Sequence, residues 1–130
     1  MNRQIQLLIV DDDEDMLEIE SMMLVDRGYG IRTVVSVEEA LDSIGSEKPD
    51  IVLLDLVFPE NPEYGREAAK IIRNEYPNIP IFLVTSLNRS YQSRALNDPN
   101  YDELVQKPVD FEQLSEIIEH YVTKGLNYNT

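Results

Sequence analysis

Cysteine is absent from the 130 residues, so neither disulfides nor thiolate metal sites contribute, and any bound metal must sit on oxygen ligands. Long apolar runs are missing too. No stretch approaches the ~20 residues that a membrane span requires, and the start, Met1-Asn2-Arg3-Gln4, leads into a short apolar segment rather than a secretory core region. A cytoplasmic chain without membrane contact is expected. Positive charge is scarce, with 11 Lys and Arg against 25 Asp and Glu, a formal charge of −14. With no basic patch to offset it, that balance repels nucleic acid and anionic lipid, so direct nucleic-acid binding is not expected. What is present is a 42% hydrophobic content, enough for one core. One domain is expected over 1–124, with 125–130 as a flexible tail or the start of a linker, because Lys124 to Thr130 carries Gly125 and two Asn without an apolar period.

Four short segments are near-continuous and rich in β-branched residues: Ile5 to Val10, Ile31 to Val35, Ile51 to Leu54 and Ile81 to Val84. Such continuity predicts strands covered on both faces. A fifth, shorter strand is expected near Leu104 to Gln106. Helical period fills the intervals. From Glu14 to Arg27, Met16, Ile19 and Met23 recur at steps of three and four and read as core filler before Gly28 stops the helix. Ser36-Val37-Glu38-Glu39 forms a capping box for a helix that Gly45 closes, a third helix is expected over Gly65 to Tyr76, and a short one around Ser90 to Leu96. The last opens at Asp110-Phe111-Glu112-Gln113 and buries Phe111, Leu114, Ile118 and Tyr121. Strands alternating with helices imply right-handed βαβ crossovers, hence an α/β fold with a parallel sheet between two helical layers.

In an open parallel sheet, ligands bind beyond the carboxyl ends of the strands. Here the first strand runs into Asp11-Asp12-Asp13-Glu14-Asp15, and the third ends in Asp55. Asp13, Glu14 and Asp15 suit the first turn of a helix, whose dipole favours negative charge. Asp11 and Asp12 precede it and point to the mouth of the sheet. Carboxylates brought together there repel one another unless a cation joins them, and Mg²⁺ takes one or two carboxylates plus water and phosphate oxygens. Asp55 is followed by the apolar Leu56, Val57 and Phe58 rather than by turn residues, which favours a reactive role over a turn. Thr85-Ser86 ends the fourth strand and Lys107-Pro108 follows the fifth. An acid pair, a single Asp, a hydroxyl and a lysine at successive strand ends equip a site for phosphate. Asp55 would attack phosphorus and form an acyl phosphate, Lys107 and Mg²⁺ would neutralise charge, and the Thr85 hydroxyl would donate a hydrogen bond to the phosphoryl group.

These residues resemble the receiver domain of two-component response regulators. The resemblance covers Leu7 to Val122 and is carried by Leu8-Ile9-Val10-Asp11-Asp12-Asp13, Lys48-Pro49-Asp50-Ile51-Val52-Leu53-Leu54-Asp55, Pro59, Ile81-Phe82-Leu83-Val84-Thr85-Ser86 and Lys107-Pro108. It implies a doubly wound, flavodoxin-like sheet of five strands in the order 2-1-3-4-5. It further implies phosphorylation of Asp55 by a sensor histidine kinase or histidine phosphotransfer protein, as part of a switch in partner binding. Asp12, Asp55 and the Val57 backbone carbonyl would bind Mg²⁺ directly, Asp11 would act through water, and the Lys107-Pro108 bond would be cis. The chain would not be an enzyme beyond taking up its own phosphoryl group and slowly losing it, and would be a monomer or a weak dimer. It departs from the family pattern in four places. Glu60 to Tyr64 lengthens the path from Pro59 to Gly65, Leu104 stands where an aromatic residue is common, the fourth helix is polar and interrupted by Asp98-Pro99, and the small Gly/Ala turn usual before the fifth strand is missing.

The alternative is a receiver-fold interaction module that works without phosphorylation, favoured by Leu104 and the altered fourth helix and opposed by the intact Asp11, Asp12, Asp55, Thr85 and Lys107. An aspartate-nucleophile phosphohydrolase would need a second acid where Val57 stands. A flavin module would need a hydroxyl- and amide-rich phosphate loop where five acids stand instead.

Overall fold

In the computed structural model the described residues are 3–55, 64–86 and 100–129, with side chains to Thr123. Five strands, β1 (Gln6–Asp11), β2 (Gly30–Val34), β3 (Ile51–Asp55), β4 (Ile81–Thr85) and β5 (Glu103–Gln106), alternate with α1 (Glu14–Asp26), α2 (Val37–Ser46), α3 (Tyr64–Glu75) and α4 (Phe111–Asn129). All pairings are parallel, in the order β2-β1-β3-β4-β5. The expected α/β architecture and strand order are both found. The helix expected around residues 90–96 and the Val57 carbonyl lie outside the described residues.

Successive side chains of a strand point to opposite faces, and the core divides accordingly. Leu8, Val10, Val52, Leu54, Ile81 and Leu83 pack with Ala40, Ile44, Ala68, Ala69 and Ile72 of α2 and α3. Leu7, Ile9, Ile51, Leu53, Phe82, Val84 and Val105 pack with Leu17, Leu24, Leu114 and Ile118 of α1 and α4. β1, β3 and β4 are covered on both faces as expected. β2 is different: its residues are half-buried or exposed, because it is an edge strand.

Two aspartates fasten strand starts. Asp50, just before β3, accepts from the Gln6 amide at 2.7 Å and pairs with Arg3, and its own amide donates to the Gln6 carbonyl at 2.7 Å. Asp102, just before β5, accepts from the Ile81 amide at 2.8 Å and from Arg73 at 2.6 Å, and donates back to the Ile81 carbonyl at 2.8 Å. Each supplies the hydrogen bonds that the first residue of the neighbouring strand would otherwise lack.

Helix ends follow the capping signals closely. The Asp13 carboxylate accepts from the amides of Asp15 and Met16, Ser36 accepts from Glu39, and Asp110 accepts from Gln113. α1 ends in a Schellman turn with Gly28 at φ 97°, in which the Tyr29 amide reaches the Leu24 carbonyl. α4 is helical to Asn129. Two expectations are corrected. Gly45 lies inside α2, which runs on to Ser46. In α1 the buried stripe is Leu17, Glu20 and Leu24, while Ile19 and Met23 are exposed and Met16 is half-buried. Two apolar stripes run side by side on this helix, and the sheet takes the one bearing both leucines.

Candidate functional site

Register and strand parity build the site. Asp11 and Asp55 are paired as the last residues of β1 and β3. Each stands two residues beyond a side chain packed toward α1 and α4, Ile9 and Leu53 respectively, so both carboxylates lean to that face. Lys107 stands two residues beyond Val105, which also packs there, and its amide donates to the Thr85 carbonyl at 2.8 Å. Thr85, the last residue of β4 and 5% exposed, has the opposite parity, that of Leu83. The Lys107-Pro108 bond is cis, as the resemblance implies.

Asp55 is 1% exposed and Asp11 2% exposed. Lys107 Nζ stands 2.8 Å from Asp55 Oδ1, an ion pair without the direction of a good hydrogen bond. Among the described residues, neither oxygen of Asp55 has a hydrogen-bond partner, nor does Asp11 Oδ2; Asp11 Oδ1 accepts from the Asp13 amide at 2.9 Å. Buried carboxylate oxygens left in this state are costly without a further ligand. Burial pushes Asp55 up to about 6, opposed by the contact with Lys107 and reinforced by the charge of Asp11. Burial would lower Lys107, but its contact with Asp55 and the charges of Asp55, Asp11 and Glu20 outweigh it and raise it.

The acids after β1 are not equivalent. Asp11 is buried in the floor. Asp12 is exposed and, with Asp13, Glu14, Asp15 and Val35, lines an open acidic depression beside it.

A third buried carboxylate comes from α1. Glu20 is 4% exposed, and one carboxylate oxygen each from Asp11, Glu20 and Asp55 lie within 4.8 Å of one another. Burial pushes Glu20 up to about 9, aided by its carboxyl contact with Asp11 and the charges of Asp55 and Asp11, and opposed by Lys107. Sequence reasoning missed this residue because a glutamate on a surface helix reads as a solvated charge. The available signal was its position in the Leu17–Leu24 stripe, where the helical period calls for an apolar side chain. Glu20, Asp55 and Lys107 also border a cleft of about 530 Å³ whose other walls include Met16, Ile19, Pro108, Val109 and Phe111.

The donor set suits a hard divalent cation: carboxylate oxygens with unused lone pairs, negative on balance beside one lysine. Asp55 can act as a nucleophile, and Lys107 is placed to neutralise an oxyanion attached to it.

Residues 7–119 match the response regulator receiver domain family. Response regulator MprA of Mycolicibacterium vanbaalenii is 31% identical over 110 residues, covering 85% of this chain and 47% of that protein. Nitrogen assimilation regulatory protein NtrX of Azorhizobium caulinodans is 27% identical over 113 residues, covering 87% and 25%. The chain thus spans between a quarter and about half the length of these relatives. Among solved structures, a two-component response regulator from Clostridium difficile superposes with a TM-score of 0.77 at 27% identity, covering 92% of this chain and 97% of that one. NtrX from Brucella abortus, at 21% identity and a TM-score of 0.81, shares the fold over 98% of this chain and 29% of its own.

Proposed function

Because the chain belongs to the response regulator receiver domain family, we propose that Asp55 accepts a phosphoryl group from a phosphohistidine donor and that the modified chain changes its affinity for a partner. The observation that carries this reading is Asp55 itself: buried at the end of β3, without a hydrogen-bond partner among the described residues on either oxygen, and 2.8 Å from Lys107 Nζ. An Asp55 oxygen attacks phosphorus in line. The new O–P bond forms as the P–N bond to the donor imidazole breaks, and the electron pair leaves with the imidazole nitrogen, which takes a proton. Lys107 pairs with the phosphoryl oxygens as charge shifts onto them. The Thr85 hydroxyl donates to the same group.

Asp12 and Asp55, with the Val57 carbonyl, would hold Mg²⁺ directly and Asp11 through water, and the orphaned oxygens of Asp11 and Asp55 support its fit. Bound there, the ion would supply charge neutralisation for the transferred group. The chemistry is stoichiometric, with slow loss of phosphate, so the chain is a switch rather than an enzyme. The donor would be a sensor histidine kinase or a histidine phosphotransfer protein.

Acetyl phosphate with Mg²⁺ tests the reading. A base-labile, acid-stable mass increase of one phosphoryl group is expected on the wild type, absent from Asp55→Ala and strongly reduced without Mg²⁺. No adduct on the wild type would leave the receiver-fold module that works without phosphorylation.

A further inference from the structure

Glu20 has no part in the scheme above, yet it occupies a position where burying a carboxylate is hard to sustain. It is 4% exposed, its Oε1 has no hydrogen-bond partner among the described residues, and it faces Asp11 and Asp55, which carry orphaned oxygens of their own. α1 aims it there: Leu17 and Leu24 on the same stripe anchor the helix on the sheet, which fixes Glu20 between them at the level of the strand ends. An apolar residue would pack at this point without cost. An ionised carboxylate here repels both acids: in the metal-free chain a proton on Glu20 relieves this, and a cation drawing the three together would take the proton's place.

We propose that Glu20 is a further, buried carboxylate ligand of the cation site, and that it shifts the site's preference from Mg²⁺ toward Mn²⁺. This rests on the reading of Asp11, Asp12 and Asp55 as the acids of the cation site. Mg²⁺ sheds its water reluctantly and is held by one or two carboxylates with several waters retained. A buried set of three carboxylates, one from each of α1, β1 and β3, instead requires an ion that gives up more of its hydration shell. Oxygen donors suit Mn²⁺ as well as Mg²⁺, and the ordinary order of site affinities places Mn²⁺ low among the transition metals, so no soft or nitrogen-seeking ion is favoured here.

The test is Mn²⁺ binding to the full chain, followed by the paramagnetic resonance signal of the free aqueous ion, with Mg²⁺ affinity read by competition. Glu20→Gln preserves shape, and its amide can still donate a hydrogen bond to Asp11, so a role limited to packing or hydrogen bonding survives the change. Loss of an anionic ligand does not. Mn²⁺ affinity should fall by about tenfold or more in Glu20→Gln, and likewise in Glu20→Leu, whose side chain continues the apolar stripe. Mg²⁺ affinity should fall less, so the Mn²⁺/Mg²⁺ ratio drops. Unchanged Mn²⁺ affinity in both variants, with binding lost in Asp55→Asn, would remove Glu20 from the ligand set while leaving the cation site intact. No Mn²⁺ or Mg²⁺ binding by the wild type would overturn both.

Discussion

Asp55 and Glu20 are carboxylic acids pushed in the same direction by burial, and the consequence shows in the metal-free protein. Asp55 is raised from 3.8 to about 6 and Glu20 from 4.5 to about 9, so between those values the folded chain holds more protons than the unfolded one. Stability then falls as pH rises, because its slope follows the protons bound unfolded minus those bound folded. With a chelator present, the urea midpoint should be higher at pH 5 than at pH 8, and Glu20→Gln should flatten the decline above pH 6. A midpoint that climbs over this range would contradict the burial of these groups. Of the site residues, Asp11, Asp55, Thr85 and Lys107 could be read from sequence, since each follows an apolar strand directly. Glu20 was missed: its place in the Leu17–Leu24 stripe was the one signal, and the helix alone does not say which of two neighbouring apolar stripes meets the sheet.

The elements differ in how clearly their sequences announce them. Ser36 and Asp110 mark their helix starts through a side-chain oxygen and an amide nearby in sequence and cap as expected, while Asp13, expected in the first turn, caps α1 from just before it. Gly45 did not end α2, because a glycine signals a stop only when a left-handed turn is needed, as at Gly28. The misread stripe of α1 has its own use. Ile19, 50% exposed, borders the cleft at Asp55, and Met23 of the same stripe is 41% exposed. A protein donor can rest on this apolar face while its imidazole approaches the site. Ile19→Asp should therefore slow transfer from a phosphorylated histidine phosphotransfer protein while leaving labelling by acetyl phosphate unchanged, as time courses with the two donors would show. Equal effects on both would remove α1 as the docking element. Between elements, Asp50 joins β3 to the start of β1. Asp50→Ala strips the Gln6 amide and Arg3 of their partner and should cost about 1–3 kcal/mol in urea unfolding. No change would mean that water replaces the carboxylate.

At the scale of the whole molecule, parity makes the site. Asp11, Asp55 and Lys107 each continue a strand by an even step from a side chain buried under α1 and α4, so one face of the sheet gathers two acids and their counter-ion at its edge. The alternating pattern made the parallel sheet legible in advance. Strand order was not carried by periodicity and came through the family resemblance. The formal charge of −14 adds a general term. Like charges across the surface oppose compaction, so monovalent salt should raise the melting temperature. Mg²⁺ at matched ionic strength should raise it further by mass action on the folded state, and Asp55→Asn should lose that excess. An equal effect of Mg²⁺ and NaCl would argue against a specific cation site.

The central claim is that Asp55 carries the phosphoryl group, and chemistry can place it on a single residue. Borohydride reduces an aspartyl phosphate to homoserine, which tandem mass spectrometry locates within a peptide. After incubation with acetyl phosphate and Mg²⁺, homoserine should stand at position 55 and at none of Asp11, Asp12 or Asp13. Homoserine at one of those three instead, or none anywhere in a labelled chain, would contradict the account.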